Sequence, residues 1–364
     1  MIAGTRIRGV ETMIVSVALE RPIRTPVHYI TTVDNILVTL TTEAGLEGLA
    51  YLWCFGRERA GALAALVEDA ARFVIGQDAL ERVALTGSLW HEANFLGRTG
   101  AAVFAISALD TALWDIAGKH AGAPLWRMLG GSRRPIQAYA GGLFLSDPVD
   151  AIVAEARGYV ARGFCAIKMR CGAARMSDDI ARVEAVRAAV GPDIRLLVDV
   201  VQGWTPEQAI RTGREIARFD IGWIEDPVAF DDLGGMARVA AALDVPVTAG
   251  ENNYGLSGFR ALIQSGAIRI AMCDLQRAGG ISEWMRIAAL AQAHAMTIVP
   301  HTFHETSAHL LASVPNGGLL EYVPWWDVLL EHPPELVDGA FLPSDAPGLG
   351  YRFNPAALDR GRIA

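Results

Sequence analysis

The chain has 364 residues, 52% of them hydrophobic and 20% charged, with a formal net charge of −8. That length accommodates a barrel plus a second domain, and so apolar a composition excludes a disordered chain. The acidic balance excludes a general nucleic-acid-binding surface.

In chain order, residues 5–20 and 33–53 alternate in the manner of strands, and TEAGLEG between NILVTLT and LAYLW reads as a hairpin turn. From Arg57 to Gly131 the pattern becomes helical, through ERAGALAALVEDAARFV, LTGSLWHE and FAISALDTALWDIAGKH. Strands followed by helices predict an α+β domain over 1–131. Beyond SRRP the rhythm changes. Strand candidates at 136–140, 164–169, 195–199, 222–225, 247–250, 268–273, 297–300 and 318–321 alternate with helical stretches, the last of them the short SAHLLASV. Eight strands and seven intervening helices predict an α/β fold, a (β/α)7β TIM-like barrel over 132–322. The tail, 323–364, carries the turn signals PWWD, HPPE and APG, and is expected to pack back on the first domain and complete it.

The most apolar stretch, AAVFAISALDTALWDIAG, contains Asp110 and Asp115 and so falls short of the roughly 18 uncharged residues of a membrane span. A buried helix is expected there instead. The opening MIAGTRIRGVE lacks the apolar core of a secretory signal. Cys54, Cys165, Cys171 and Cys273 are scattered, without a CxxC pair. Reduced thiols and a cytoplasmic location are the expectation.

Charged residues stand at the ends of the barrel strands, where catalytic groups of such barrels gather. Asp199 closes RLLVD, Glu225 closes IGWIE 26 residues later, and Glu251 closes PVTAGE after another 26. Three neighbouring carboxylates do not stay ionised together without a cation. Hard oxygen donors of this kind suit Mg²⁺; capping of the next helices, or pairing with Arg and Lys, is the structural alternative. Asp274 closes IRIAMCD and His301 follows TIVP 27 residues later. An Asp holding one imidazole nitrogen makes the other a base near neutral pH; a structural histidine is the alternative. Lys168 and Arg170 in FCAIKMR share one strand face. Lys168 reads as a carboxylate-binding or electrostatic residue, and Arg170 as a fixed cation or hydrogen-bond donor, since a guanidinium keeps its proton. Glu321, after GGLL, could donate a hydrogen bond if protonated, or else form a barrel-closing ion pair.

At these residues the chain resembles the enolase superfamily, and closely its mandelate racemase/muconate lactonizing enzyme branch. The likeness runs through ALDTALWDIAGKHAGAPLWRMLGG, KMR, VDVVQGW, IEDP, AGEN, CDLQRAGG, VPHTFHETSAHL and LEY, and so covers nearly the whole chain. It implies that Asp199, Glu225 and Glu251 bind Mg²⁺, that Asp274 and His301 form the base dyad, and that Glu321 is the electrophilic acid. Lys168 would be the first lysine of the KxK motif. Two positions depart from the pattern: Arg170 replaces the second lysine, the usual base, and Val201 replaces a polar Asn. Both point away from a two-base racemase and leave proton abstraction by His301 intact.

The reaction so implied starts by removing the proton α to a carboxylate, through an enediolate. Dehydration of a hydroxy or sugar acid to a 2-keto acid needs one base. A racemase, epimerase or cycloisomerase of a carboxylic acid is the runner-up, and a non-catalytic metal- or ligand-binding barrel the reading from another class. The partner expected is a small carboxylic acid, with no nucleic acid, no membrane, and assembly as a homo-oligomer. In this family the first domain closes over the barrel, so His28 and Tyr29, and then Tyr51, Trp53 and Phe55, are candidate substrate contacts; interdomain core is the other reading for each.

Overall fold

The computed structural model describes residues 4–24 and 29–361. Three antiparallel strands open the chain: β1 (Ile7–Arg24), β2 (Tyr29–Thr42) and β3 (Glu47–Cys54), in the order β1-β2-β3. One face of this sheet is covered by α1 (Arg57–Ala71), α2 (Arg82–Glu92) and α3 (Ala101–Ala121), around a core that includes Ile36, Val38, Leu52, Val67, Leu109 and Ile116. β3 and α3 touch at Gly48. A Cβ there would lie 2.2 Å from the Ala112 carbonyl oxygen and 2.7 Å from Ile116 Cγ1, so only glycine allows the approach.

By length and composition α3 could cross a membrane, yet most of it lies inside the fold. Its two acids explain why. Asp110 accepts from Thr86 Oγ1 at 3.0 Å and from Ser282 Oγ and N at 2.6 and 2.8 Å. Asp115 accepts from the Leu49 and Leu349 amides, both at 2.8 Å, and from Lys119 Nζ at 2.7 Å. Each buried carboxylate is thus satisfied by donors from several segments, and α3 becomes the axle on which sheet, barrel and tail are mounted.

After the short α4 (Leu125–Met128) the βα alternation begins. It runs β4 (Ile136–Gly141), α5 (Val149–Ala161), β5 (Ala166–Arg170), α6 (Met176–Val190), β6 (Arg195–Asp199) and α7 (Pro206–Ile216). It continues with β7 (Ile221–Glu225), α8 (Leu233–Ala242), β8 (Val247–Ala249), α9 (Gly255–Gln264) and β9 (Ile270–Asp274). A single turn, α10 (Leu275–Ala278), precedes α11 (Ile281–Ala293), β10 (Thr297–His301), α12 (His304–Leu311) and β11 (Leu320–Tyr322). Neighbours from β4 to β10 pair in parallel and in chain order, and β11 pairs back with β4. Gly317 bridges to Ile298, and the Gly318 amide donates to its carbonyl at 2.8 Å, which joins β11 to β10 and closes the ring. This is the α/β barrel expected.

Because side chains alternate along a strand, the interior is layered. Tyr139, Ala166, Leu197, Trp223, Met272 and Val299 form one packed layer. Two residues further along the same strands stand Gly141, Lys168, Asp199, Glu225, Asp274 and His301. Each strand therefore supplies a core plug and then a mouth residue. The tail passes through β12 (Leu336–Val337) and β13 (Ala340–Phe341), the latter antiparallel to β4, and ends in α13 (Pro355–Gly361) against β1. Leu349 on Asp115 and Trp326 beside Tyr51 show the tail returning to the first domain.

Candidate active site

Strand register brings the charged residues together. Arg170 lies opposite Asp199, Asp199 opposite Glu225, and Asp274 opposite His301. Glu251 comes from the turn after β8, where Gly250 has a φ of 133° and a Cβ would meet the Met272 carbonyl oxygen at 2.3 Å. The strand ends turn sharply. Leu143, Val201, Gln202, Asp226, Thr302 and Phe303 all take positive φ without being glycine. Two of these turns aim amides at carboxylates: Val201 N donates to Asp199 Oδ1 at 2.9 Å and Thr302 N to Glu321 Oε2 at 2.9 Å. Left-handed backbone at a β-branched residue such as Val201 or Thr302 is strained, and the mouth is where that strain is stored.

Lys168 is fully buried at the centre. Its Nζ lies 2.7 Å from Glu225 Oε1, 2.7 Å from Glu321 Oε1 and 3.5 Å from Asp199 Oδ2. Burial lowers the Lys168 pKa, but Glu225 and Glu321 outweigh it and the net direction is up. Arg170 Nη1 bonds directly to Asp199 Oδ2. Burial raises the Glu321 carboxyl, yet Lys168 and His301 prevail and hold it down to about 2. As placed, Glu321 is an ion-paired acceptor; the donor role expected of it needs a proton that this arrangement does not leave on it.

His301 Nδ1 lies 2.7 Å from Asp274 Oδ2, and Nε2 3.4 Å from Glu251 Oε2. Burial pushes the imidazole down, but Glu251, Asp274 and Glu321 outweigh it and raise it to about 9. Asp274 Oδ1 also accepts the Arg277 amide at 2.8 Å, and Arg277 Nη1 stands 3.6 Å from Oδ2. The Asp–His pair foreseen from strand spacing is therefore formed.

Beside His301 stands an aromatic wall. The Trp53 ring lies 6.3 Å from the imidazole, 5.3 Å from Phe55 and 6.0 Å from Trp325, and Phe55 is 5.9 Å from Trp325. Tyr51 is turned away, its ring against Phe303, Trp326 and Tyr351 and its hydroxyl on Glu305 at 2.7 Å. It belongs to the interdomain core, the second of the two readings given it. Tyr29 is largely exposed, and His28 lies outside the described residues. Next to the ring is a cavity of about 590 Å³, lined by Leu19, Arg21, Gly141, Phe144, Tyr159 and Trp325. Phe144 also faces Arg170, and a Cβ on Gly141 would approach Glu321.

Residues 9–130 match the family described as "Mandelate racemase / muconate lactonizing enzyme, N-terminal domain", and residues 151–357 match "Enolase C-terminal domain-like". The chain belongs to the mandelate racemase/muconate lactonizing enzyme branch of the enolase superfamily. Among relatives of this branch, a 3,6-anhydro-alpha-L-galactonate cycloisomerase of Streptomyces coelicolor is 34% identical over 332 residues, 91% of each chain. An L-talarate/galactarate dehydratase of Salmonella typhimurium is 35% identical over 333 residues, 90% of this chain and 82% of that one. A Bradyrhizobium enolase solved with magnesium and mandelic acid superimposes with a TM-score of 0.94, at 34% identity and with 100% of both chains covered.

Whether this member's residues suit magnesium can be asked of its own side chains. Among the described residues, no three His, Cys, Asp or Glu side chains stand together as a cation-holding cluster. Lys168 and Arg170 take up the oxygens of Asp199 and Glu225 instead. The charge count nevertheless calls for a further cation. Among the described residues, Asp199, Glu225, Asp226, Glu251, Asp274 and Glu321 face the cationic groups of Lys168, Arg170, Arg277 and His301. With all of them ionised, two negative charges are left over. Consequently Glu225 is pushed up by burial, with Glu251 and Glu321 adding to it. Asp226 is pushed well up by burial and by Glu251 and Glu225, and its buried Oδ1 has no hydrogen-bond partner. An oxygen-only donor set with an excess of two negative charges fits one divalent hard cation.

Several contributors escaped the sequence reading. Asp226 was visible in IEDP, one residue past Glu225, and Asn252, which donates to it at 2.9 Å, in AGEN. Gln276 and Arg277 stood inside CDLQRAGG and Trp325 inside PWWD, but nothing in the sequence singled them out. Only the fold shows that they face the site.

Proposed function

We propose that the protein is an Mg²⁺-dependent lyase that dehydrates a hydroxy or sugar acid to a 2-keto acid. The observation that supports this reading best is a histidine oriented for base work with no base opposite it among the described residues. His301 Nδ1 is held by Asp274 at 2.7 Å, which leaves Nε2, 3.4 Å from Glu251 Oε2, as the nitrogen on the metal side. Across β11 and β4, Lys168 is locked between Glu225 and Glu321, and Arg170 on Asp199. Neither cation has a free lone pair, so among the described residues no second base stands on that side.

Asp199, Glu225 and Glu251 are the residues assigned to the metal. Once bound, Mg²⁺ supplies positive charge for the enediolate oxygens and relieves the carboxylate field that holds His301 protonated. The chain's own residues do the rest. Asp274 fixes the tautomer in which Nδ1 carries the proton and Nε2 is the acceptor. His301 Nε2 takes the proton α to the substrate carboxylate. The same imidazolium then returns that proton to the β-hydroxyl, which leaves as water, and the resulting enol tautomerises to the 2-keto acid. Lys168 holds Glu225 and Glu321 in place and adds positive charge beside the forming enediolate. Trp53, Phe55 and Trp325 shield His301 from water.

The substrate is a small carboxylic acid. Relatives named for talarate, galactarate and arabinonate dehydration support the acid-sugar class. The cytoplasmic location and homo-oligomeric state are part of the proposal. Phe95, Leu96 and Phe73, 94%, 62% and 37% exposed around one hollow of the first domain, offer an assembly an apolar contact. Cycloisomerisation is the second reading, favoured by the 34% identity to a cycloisomerase over 91% of the chain; it too needs one base. A library of acid sugars and hydroxy acids, incubated with Mg²⁺ and read by mass and by 2-keto acid detection, separates the two. Loss of water supports the lyase, and a product of unchanged mass the isomerase.

A further inference from the structure

Three segments far apart in the chain meet at one buried carboxyl group, that of Glu305, which is 4% exposed. Oε1 accepts from the Tyr51 hydroxyl of β3 at 2.7 Å and from Thr306 Oγ1 at 3.3 Å. Oε2 takes the indole N–H of Trp326, in the tail, at 3.5 Å. Among the described residues the basic group that stands nearest is His304 Nδ1, at 4.0 Å. A buried acid without Lys or Arg beside it is costly, so its partners must be what retains it there.

A second tie runs parallel to the first. The backbone amide of Trp53 donates to Gln276 Oε1 at 3.2 Å, and Gln276 is 1% exposed. Gln276 lies two residues after Asp274, and Glu305 four after His301. Each member of the dyad is thus followed by a residue that grips β3. Glu305 holds Tyr51 and Gln276 holds Trp53, two residues on along β3, and Trp53 is the residue whose ring faces His301.

We propose that Glu305 is a positioning residue. It seats β3 and the tail on the barrel mouth, so that the wall of Trp53, Phe55 and Trp325 closes over a bound acid. The inference rests on the active site proposed above and adds to it the element that sets how often the wall is closed. If only the seated state binds substrate tightly, apparent affinity falls in proportion to the unseated fraction, while turnover of the bound complex is kept.

The test is kinetic, on whichever acid the library identifies, with Mg²⁺ present. Tyr51→Phe removes one hydroxyl and should raise KM about tenfold while kcat changes less than about twofold. A merely structural lesion would do the reverse, lowering the active fraction and hence kcat at constant KM. Adding Tyr51→Phe to Glu305→Ala should cost nothing beyond Glu305→Ala alone, and Glu305→Gln, which keeps an acceptor oxygen, should recover most of that loss. An unchanged KM in Tyr51→Phe, or strictly additive losses, overturns the proposal. Hydrogen exchange needs no substrate and decides the matter separately. Glu305→Ala should speed exchange at residue 53 and across 323–330, and leave the barrel strands unchanged. No such change overturns the seating role even where turnover is seen. Absence of turnover by the unaltered protein, with the exchange change present, counts instead against the dehydration reading alone.

Discussion

At the scale of single residues, the dyad makes the sharpest demands. His301→Asn should abolish turnover with Mg²⁺ affinity intact, and Asp274→Asn should cost nearly as much, because the imidazole then loses its tautomer; assays on the library hit and magnesium calorimetry check both. Titration gives a second expectation. Without metal, His301 is raised to about 9 by the carboxylates that overcome its burial. Addition of Mg²⁺ should draw it back toward the ordinary histidine value near 6.5, seen as a titration midpoint moved to lower pH in NMR. The sign for stability follows from the raised pKa. Metal-free protein carries the full contribution of this group below about 6.5 and loses it as pH rises through about 9. Metal-free unfolding midpoints should therefore fall across that window in wild type and fall less in His301→Asn. The sequence exposed these residues because each ends an apolar run at barrel spacing. It could not expose the ionised state of Glu321, which depends on Lys168 Nζ standing 2.7 Å away.

Among elements, the close packing of α3 on β3 and the turn after β6 behave oppositely. Gly48→Ala would drive a methyl into the Ala112 carbonyl, 2.2 Å away, and should destabilise by about 2–3 kcal/mol. Val201 holds a φ of 48° while about half exposed, a conformation Asn tolerates and Val does not. Val201→Asn should therefore stabilise by about 1 kcal/mol. Denaturant titration of both variants measures these differences. The strand-and-helix alternation was readable to within a few residues because buried strands and amphipathic helices differ in period. Much of the tail was not. β12 and β13 are two residues each, and such short pieces exist only through pairing with β4. The two acids inside α3 likewise looked like interruptions of an apolar run, and only the fold shows them as ties to Ser282, Leu49 and Leu349.

For the whole molecule, metal and fold should be linked. A cation that neutralises buried carboxylates binds the folded state alone, so Mg²⁺ at about a hundred times its dissociation constant should add about 2.7 kcal/mol. Chelation should lower the thermal midpoint by a few degrees. In Glu225→Gln, where a neutral amide replaces a proposed ligand, calorimetric affinity for Mg²⁺ should drop and the midpoint should cease to respond to chelator. A full response in that variant would remove Glu225 from the metal set.

The returning tail also sets a timetable for synthesis. Asp115 waits for the Leu349 amide, 234 residues downstream, and Tyr51 for Glu305, 254 residues downstream. A nascent chain emerging from the ribosome has its first sheet and helices long before either partner exists. During that interval the apolar underside of β3 has nothing to rest on, a state in which association with other chains or with chaperones competes with folding. The wall beside His301 is complete only once Trp325 has emerged, so the enzyme cannot begin work while most of its barrel is still being made. Contacts of such long sequence separation also make for slow folding, and a stretch made after the barrel is the one that locks the first sheet.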